Sequence, residues 1–202
     1  MAFSIAVSFT LFLWLVRLVE YFGGFDFALL GIYPRQASGL AGILFAPFIH
    51  GSFAHLFANT APIVVIGTML LYGYPRAARV LLPTIYLGGG ILVWLFAREA
   101  FHIGASGIVF GMLFFILMIG ILRWDRRAIA LSMVLFLLYG GMIWGILPES
   151  REVSFESHLG GALVGLVSAF LLRHRDPEPR RKQYSWERED TGDDDYDWPD
   201  GL

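Results

Sequence analysis

Six stretches of this 202-residue chain contain no Asp, Glu, Lys or Arg: 1–16, 36–75, 80–97, 100–122, 128–148 and 157–172. About 20 apolar residues in a helix cross the hydrocarbon of a bilayer, and lipid leaves backbone polar groups no partner except each other. A chain built this way folds into a bundle of membrane-spanning helices. Its 56% hydrophobic and 16% charged residues, with a mean hydropathy of +0.62, fit that class. The 40-residue stretch divides. Gln36 to Pro47, rich in Gly, Ala and Pro, reads as a membrane-associated loop, and Ala54 to Tyr74 as a helix. Six helices are expected near 2–22, 54–74, 79–98, 104–123, 127–147 and 156–173. The first lacks the cationic start and small-residue cleavage site of a signal peptide, so it counts as a spanning helix.

Charge is unevenly placed. Residues 1–173 hold ten Lys/Arg against seven Asp/Glu, a net of +3, and residues 174–202 hold five against ten, a net of −5. Two units are expected: a transmembrane body over 1–173, and a charged, disordered cytoplasmic tail over 174–202 whose basic start suits the anionic inner leaflet. Orientation follows from Lys and Arg beside the helices. Arg76, Arg79, Arg123, Arg126, Arg127, Arg173, Arg175, Arg180, Arg181 and Lys182 fall on one side, and Arg35, Arg98 and Arg151 on the other. Both termini are expected in the cytoplasm. No basic surface domain is available for nucleic acid, and the absence of cysteine excludes thiol nucleophiles and thiolate metal sites.

Polar side chains within spans carry the functional information, because each is costly in hydrocarbon. His50, His55, His102 and His158 fall in spans or at their outer boundary. His55 and Asn59 lie 40° apart on one helical face, pointing two hydrogen-bonding groups into the bundle. Taken alone, the pair serves equally well to glue helices together. Ser106, within Gly104-Ala-Ser-Gly107, stands near a helix start, where the helix dipole and free N–H groups favour developing negative charge. Were that helix to begin near Ala100, Ser106 would lie roughly 9 Å below the outer edge of the span. Gly161 and Gly165 form a small-residue stripe, and His158 lies on nearly the same face. If helix 6 crosses helix 4 through these glycines and Gly104, Gly107 and Gly111, Ser106 meets His158 as a nucleophile meets its base. His55, Asn59 and the Ser106 N–H can then meet an oxyanion. Phe110, one turn beyond Ser106, can hold the imidazole ring.

At these residues the chain resembles the rhomboid intramembrane serine proteases. The likeness spans the six-helix body and rests on His50, His55 and Asn59, on Gly104, Ser106 and Gly107, and on His158 with Gly161 and Gly165. It implies an all-α, six-helix fold and cleavage of transmembrane protein substrates near the outer end of their helices, with neither metal nor cofactor. Ser106 would be the nucleophile, His158 the base, His55 and Asn59 oxyanion donors, and His50 mainly structural. The expected setting is the cell (plasma or inner) membrane, with the site open to the non-cytoplasmic side. Two departures are visible. Many family members carry a Trp-Arg pair in the first loop, where residues 39–44 here read Gly-Leu-Ala-Gly-Ile-Leu. Many also have Tyr at the position of Phe110.

Three other classes compete with this reading. A catalytically inactive rhomboid-like protein that binds transmembrane segments would usually lack the serine or the histidine. A zinc site of His50, His55 and His158 is disfavoured, because His50 and His55 are 140° apart on a helix and no His-Glu-x-x-His pattern is present. A transporter would need an acidic group mid-span.

Overall fold

The computed structural model describes residues 1–148 and 154–177. Six helices are long and apolar enough to span a membrane: α1 (Ala2–Gly23), α2 (Phe53–Gly73), α3 (Pro75–Phe96), α4 (Ser106–Arg123), α5 (Arg126–Ile146) and α6 (Phe155–Leu172). Among the described residues there is no strand, only one antiparallel bridge between Ile32 and His102. The expected number and order of helices are therefore observed, and the protein is an integral, multi-pass membrane protein.

Two boundaries differ from expectation. α3 starts at Pro75, four residues early, because proline suits the first helical turn, where no N–H partner is needed. α4 starts at Ser106, two residues after the expected 104 and not near Ala100, so the depth of roughly 9 Å reckoned from an Ala100 start does not hold. Gly104 takes a positive φ of 111°, and the backbone of His102 exchanges N–H···O bonds of 2.9 and 3.0 Å with Ile32, so the chain before Ser106 cannot be helical.

α4 is the central helix, with half of its span buried, whereas only 6% of α5 is buried. The most extensive helix contact joins α4 to α6. It is made through glycine. A Cβ on Gly161 would lie 1.9 Å from the Gly107 carbonyl oxygen, and one on Gly165 would lie 2.2 Å from that of Gly111. The two backbones touch directly at two successive turns, as small-residue stripes permit. α1 packs on α2, where the Trp14 indole donates to Thr60 at 3.1 Å.

The connection from α1 to α2, expected as a loop over 36–47, is instead a series of short helical turns: Ala37–Leu40, Gly42–Phe45 and Ala46–Phe48. Such turns satisfy their own backbone groups, which membrane depth requires. Gly39 and Gly42 let the segment fold back on itself, since a Cβ at either would lie 2.0 to 2.2 Å from the carbonyl of Tyr33 or Gly31. The anchoring comes from elsewhere in the chain. Trp94 of α3 donates its indole N–H to the Gln36 carbonyl at 2.9 Å, and Arg35 donates to the Ala97 carbonyl at 2.8 Å.

At the opposite end of the bundle from Ser106, the carboxylate of Asp176 accepts the N–H groups of Arg76 and Ala77 at 2.9 and 2.8 Å, capping α3. Arg123 donates to the Asp176 carbonyl at 2.9 Å and pairs with Asp125 at 2.7 Å. Asp176 is buried, so packing continues past position 174; residues 178–202, with the acidic run of the expected tail, lie outside the described residues. Replacing Asp176 with Ala strands two N–H groups at the positive end of a helix. It should lower stability by about 1–3 kcal/mol. Thermal unfolding in detergent reads this as a clear fall in Tm, and an unchanged Tm would remove the cap from the fold's support.

Candidate active site

Ser106 is the first residue of α4, and among the described residues no side chain caps that helix. The Ile108 N–H already bonds the Ala105 carbonyl at 3.0 Å, so the N–H groups of Ser106 and Gly107 are the ones left for another acceptor, at the positive end of the dipole. Across the glycine contact, His158 sits in the first turn of α6. Its Nε2 is 2.9 Å from Ser106 Oγ. Its Nδ1 is 2.8 Å from the carbonyl oxygen of Gly145, in the last turns of α5. A carbonyl only accepts, so Nδ1 carries the proton and donates it there. Nε2 is then the acceptor, and the Ser106 hydroxyl donates to it. That is the protonation state a general base needs. Phe110 stacks on the imidazole, with centroids 4.1 Å apart and planes 5° apart. This contact needs no hydroxyl, so Phe in place of Tyr retains it.

Gly145 had no signal in the sequence. It holds the His158 imidazole through its backbone, and a Cβ there would lie 2.9 Å from the Phe110 ring and 3.4 Å from His158 Nδ1. Only the crowding of Phe110 and His158 against it marks the position.

His55 lies over Gly104. A Cβ on Gly104 would be 3.0 Å from His55 Nε2 and 3.9 Å from Ser106 Oγ, so glycine is required both by space and by its positive φ. Asn59, one turn along α2, is buried and donates to the His55 carbonyl at 3.0 Å, leaving its second N–H for another acceptor. His50 stands apart from the Ser106–His158 pair. It is 1% exposed, packs edge-on to His55 with centroids 4.9 Å apart, and accepts a long bond from the Ala105 N–H at 3.5 Å. Burial, with His55 beside it, pushes its imidazole down to about 4. It is therefore neutral at physiological pH, as an acceptor from Ala105 must be.

These groups line one cavity of about 670 Å³, walled by His55, Asn59, Ser106, Phe110, Met142 and His158. The structure thus gathers Ser106, His158, His55, Asn59 and Phe110 around one space. Gly104 and Gly107 shape the approach of the serine, and Gly161 and Gly165 hold α6 against α4. His102 also lines this cavity, although helical spacing connects it with neither side chain of the pair.

A family model for the rhomboid domain matches residues 37–175. The chain belongs to the rhomboid family. An uncharacterized protein of Mycobacterium tuberculosis is 35% identical over 192 residues, covering 90% of this chain and 78% of that protein. An uncharacterized protein of Mycobacterium leprae is 36% identical over 179 residues, covering 82% and 69%. RHOMBOID-like protein 2 of Arabidopsis thaliana is 32% identical over 154 residues, covering 74% of this chain and 45% of its own length. The matched region of the rhomboid model begins after α1 and includes every residue of the site described above.

Proposed function

We propose that the protein is an intramembrane serine protease that hydrolyses peptide bonds in or near transmembrane helices, with Ser106 and His158 as its catalytic dyad. The observation that carries this reading is the 2.9 Å contact of Ser106 Oγ with His158 Nε2, in an imidazole whose other nitrogen is committed to a carbonyl. As Ser106 Oγ attacks the scissile carbonyl carbon, its proton passes to His158 Nε2. The tetrahedral oxyanion meets the Ser106 N–H, His55 and Asn59. Collapse breaks the C–N bond, and His158 returns the proton to the leaving amine. Water, deprotonated by the same imidazole, then releases the acyl group from Ser106. Neither metal nor cofactor enters these steps.

The test is reaction of the purified, bilayer-reconstituted protein with a fluorophosphonate, followed by mapping of the modified residue and an assay with a model transmembrane substrate. Modification of Ser106 and cleavage of the substrate support the reading. An inert Ser106 in a folded protein overturns it in favour of a rhomboid-like protein that only binds transmembrane segments.

Replacing His55 or Asn59 with Ala should lower kcat about 10- to 100-fold with a smaller change in KM, because their bonds strengthen only as the oxyanion forms and a backbone N–H remains. If the two residues only join helices, the variants lose thermal stability while the folded fraction turns over normally. Rates per site titrated with the fluorophosphonate separate these outcomes.

In this reading both termini are cytoplasmic and the cavity opens to the other side of a plasma or inner membrane. The dyad and the Arg-rich end formed by Arg76, Arg123 and Arg127 lie at opposite ends of the bundle, which supports that orientation. Reporter fusions after Lys182 should read as cytoplasmic, and fusions within 149–156 as external. The reverse pattern would turn the site to the cytoplasm.

A further inference from the structure

His102 is 2% exposed and takes no part in the chemistry above. Its backbone is paired both ways with Ile32 of the first connection, and its ring Nε2 is 2.9 Å from the Arg98 carbonyl. Its Nδ1 is 2.6 Å from the hydroxyl of Ser154, the N-cap of α6. Because the Arg98 carbonyl accepts the Nε2 proton, Nδ1 is an acceptor and Ser154 donates to it. Ser157 completes the chain, its hydroxyl lying 2.7 Å from that of Ser154. Burial lowers the His102 pKa, in keeping with a neutral ring.

The spacing gives this bond its meaning. His102 precedes Ser106 by four residues, and Ser154 precedes His158 by four. The His102–Ser154 bond therefore connects the same two segments that the Ser106–His158 bond connects, one step earlier on each. We propose that His102 and Ser154 form a second hydrogen-bonded rung that positions Ser106 against His158. Glycines bring the backbones of α4 and α6 together, but contact at glycine leaves the helices free to slide and rotate. A directional bond between the segment entering α4 and the cap of α6 removes that freedom. The Arg98–Glu156 pair also links these segments, but at 3.3 Å and with the Arg98 side chain 35% exposed it is a looser tie.

His102 is in this sense a positioning residue, and its role rests on the protease reading. The test compares His102→Ala, His102→Asn, Ser154→Gly and the double variant His102→Ala/Ser154→Gly in bilayers, by kcat and KM on a model transmembrane substrate and by the rate of fluorophosphonate labelling. Asn places an acceptor oxygen where Nδ1 stands, so it preserves the rung. Gly serves an N-cap nearly as well as Ser but has no hydroxyl. Loss of the rung should lower kcat and labelling about 10- to 100-fold, with KM within about twofold. The double variant should be no worse than the poorer single one, since both remove the same bond. His102→Asn should recover to within about threefold of wild type. Normal kcat in folded His102→Ala or Ser154→Gly, additive losses, or His102→Asn no better than Ala would each overturn the rung. If His102→Ala fails to fold, Ser154→Gly and His102→Asn still decide. A wild-type protein inert to both substrate and probe would instead remove the protease reading, and the rung's catalytic purpose with it.

Discussion

Ser106→Ala is expected to abolish cleavage of a transmembrane substrate, a loss of about 10⁴-fold or more, while leaving the bundle inserted and folded. Removal of a nucleophile from a serine–histidine system eliminates the covalent route and leaves only what the oxyanion donors can contribute to direct attack by water. The fold should tolerate the change, because α4 begins at Ser106 without a side-chain cap and, among the described residues, the hydroxyl's partner is His158. Thermal unfolding should match wild type within about 1 kcal/mol, the usual worth of one hydrogen bond. Substantial turnover by the purified variant would move the nucleophile elsewhere.

Gly161→Val should be nearly as damaging by a different route. A single Cβ at this position would stand 1.9 Å from the Gly107 carbonyl oxygen and 2.7 Å from its carbon, and a helix backbone cannot step aside as a flexible side chain can. α6 must withdraw from α4 by more than an ångström, and His158 moves with it. A misplacement of about 1 Å in reacting groups can cost about 10²-fold, and valine demands more than that. Activity at least 10²-fold below wild type is expected, together with a lower Tm, whereas Leu163→Val, on the exposed face of the same helix, should leave both unchanged. Equal activity in the two variants would mean that the glycine contact does not set the distance between Ser106 and His158.

The helices were legible because lipid is an exacting solvent: a span must be long, apolar and helical, so charge-free stretches reveal it. Their ends were less so. Ala100, Phe101 and Ile103 are as apolar as the helix that follows, and hydropathy cannot distinguish a buried irregular segment from a helical turn. The positive φ of Gly104 and the pairing of His102 with Ile32 decide that matter, and both are tertiary facts. For the same reason the turns between Ala37 and Phe48 resembled a loop. At the site, helical spacing suffices to nominate Ser106, His158, His55, Asn59 and Phe110, because each is an unusual side chain for its depth or lies one turn from one that is. Asp176 was concealed in a charged run, where one carboxylate looks like any other. Its role depends on where α3 begins, a hundred residues earlier.

The carbonyl of Gly145 has a consequence for how this protein must be interrogated. Where a carboxylate holds a catalytic histidine, a single substitution removes it and the rate reports its worth. Here the third partner is main chain, present whatever residue occupies position 145. A saturation scan of side chains would pass over it, and any effect at 145 would report crowding of Phe110 and not the bond itself. Replacing the amide between Gly145 and Ile146 by an ester, which weakens that carbonyl as an acceptor and removes the Ile146 N–H but changes no side chain, is the perturbation that reaches it, with the same exchange one bond later, between Ile146 and Leu147, as the control. The genetic record of tolerated substitutions, however complete, is blind to one of the three groups that orient His158.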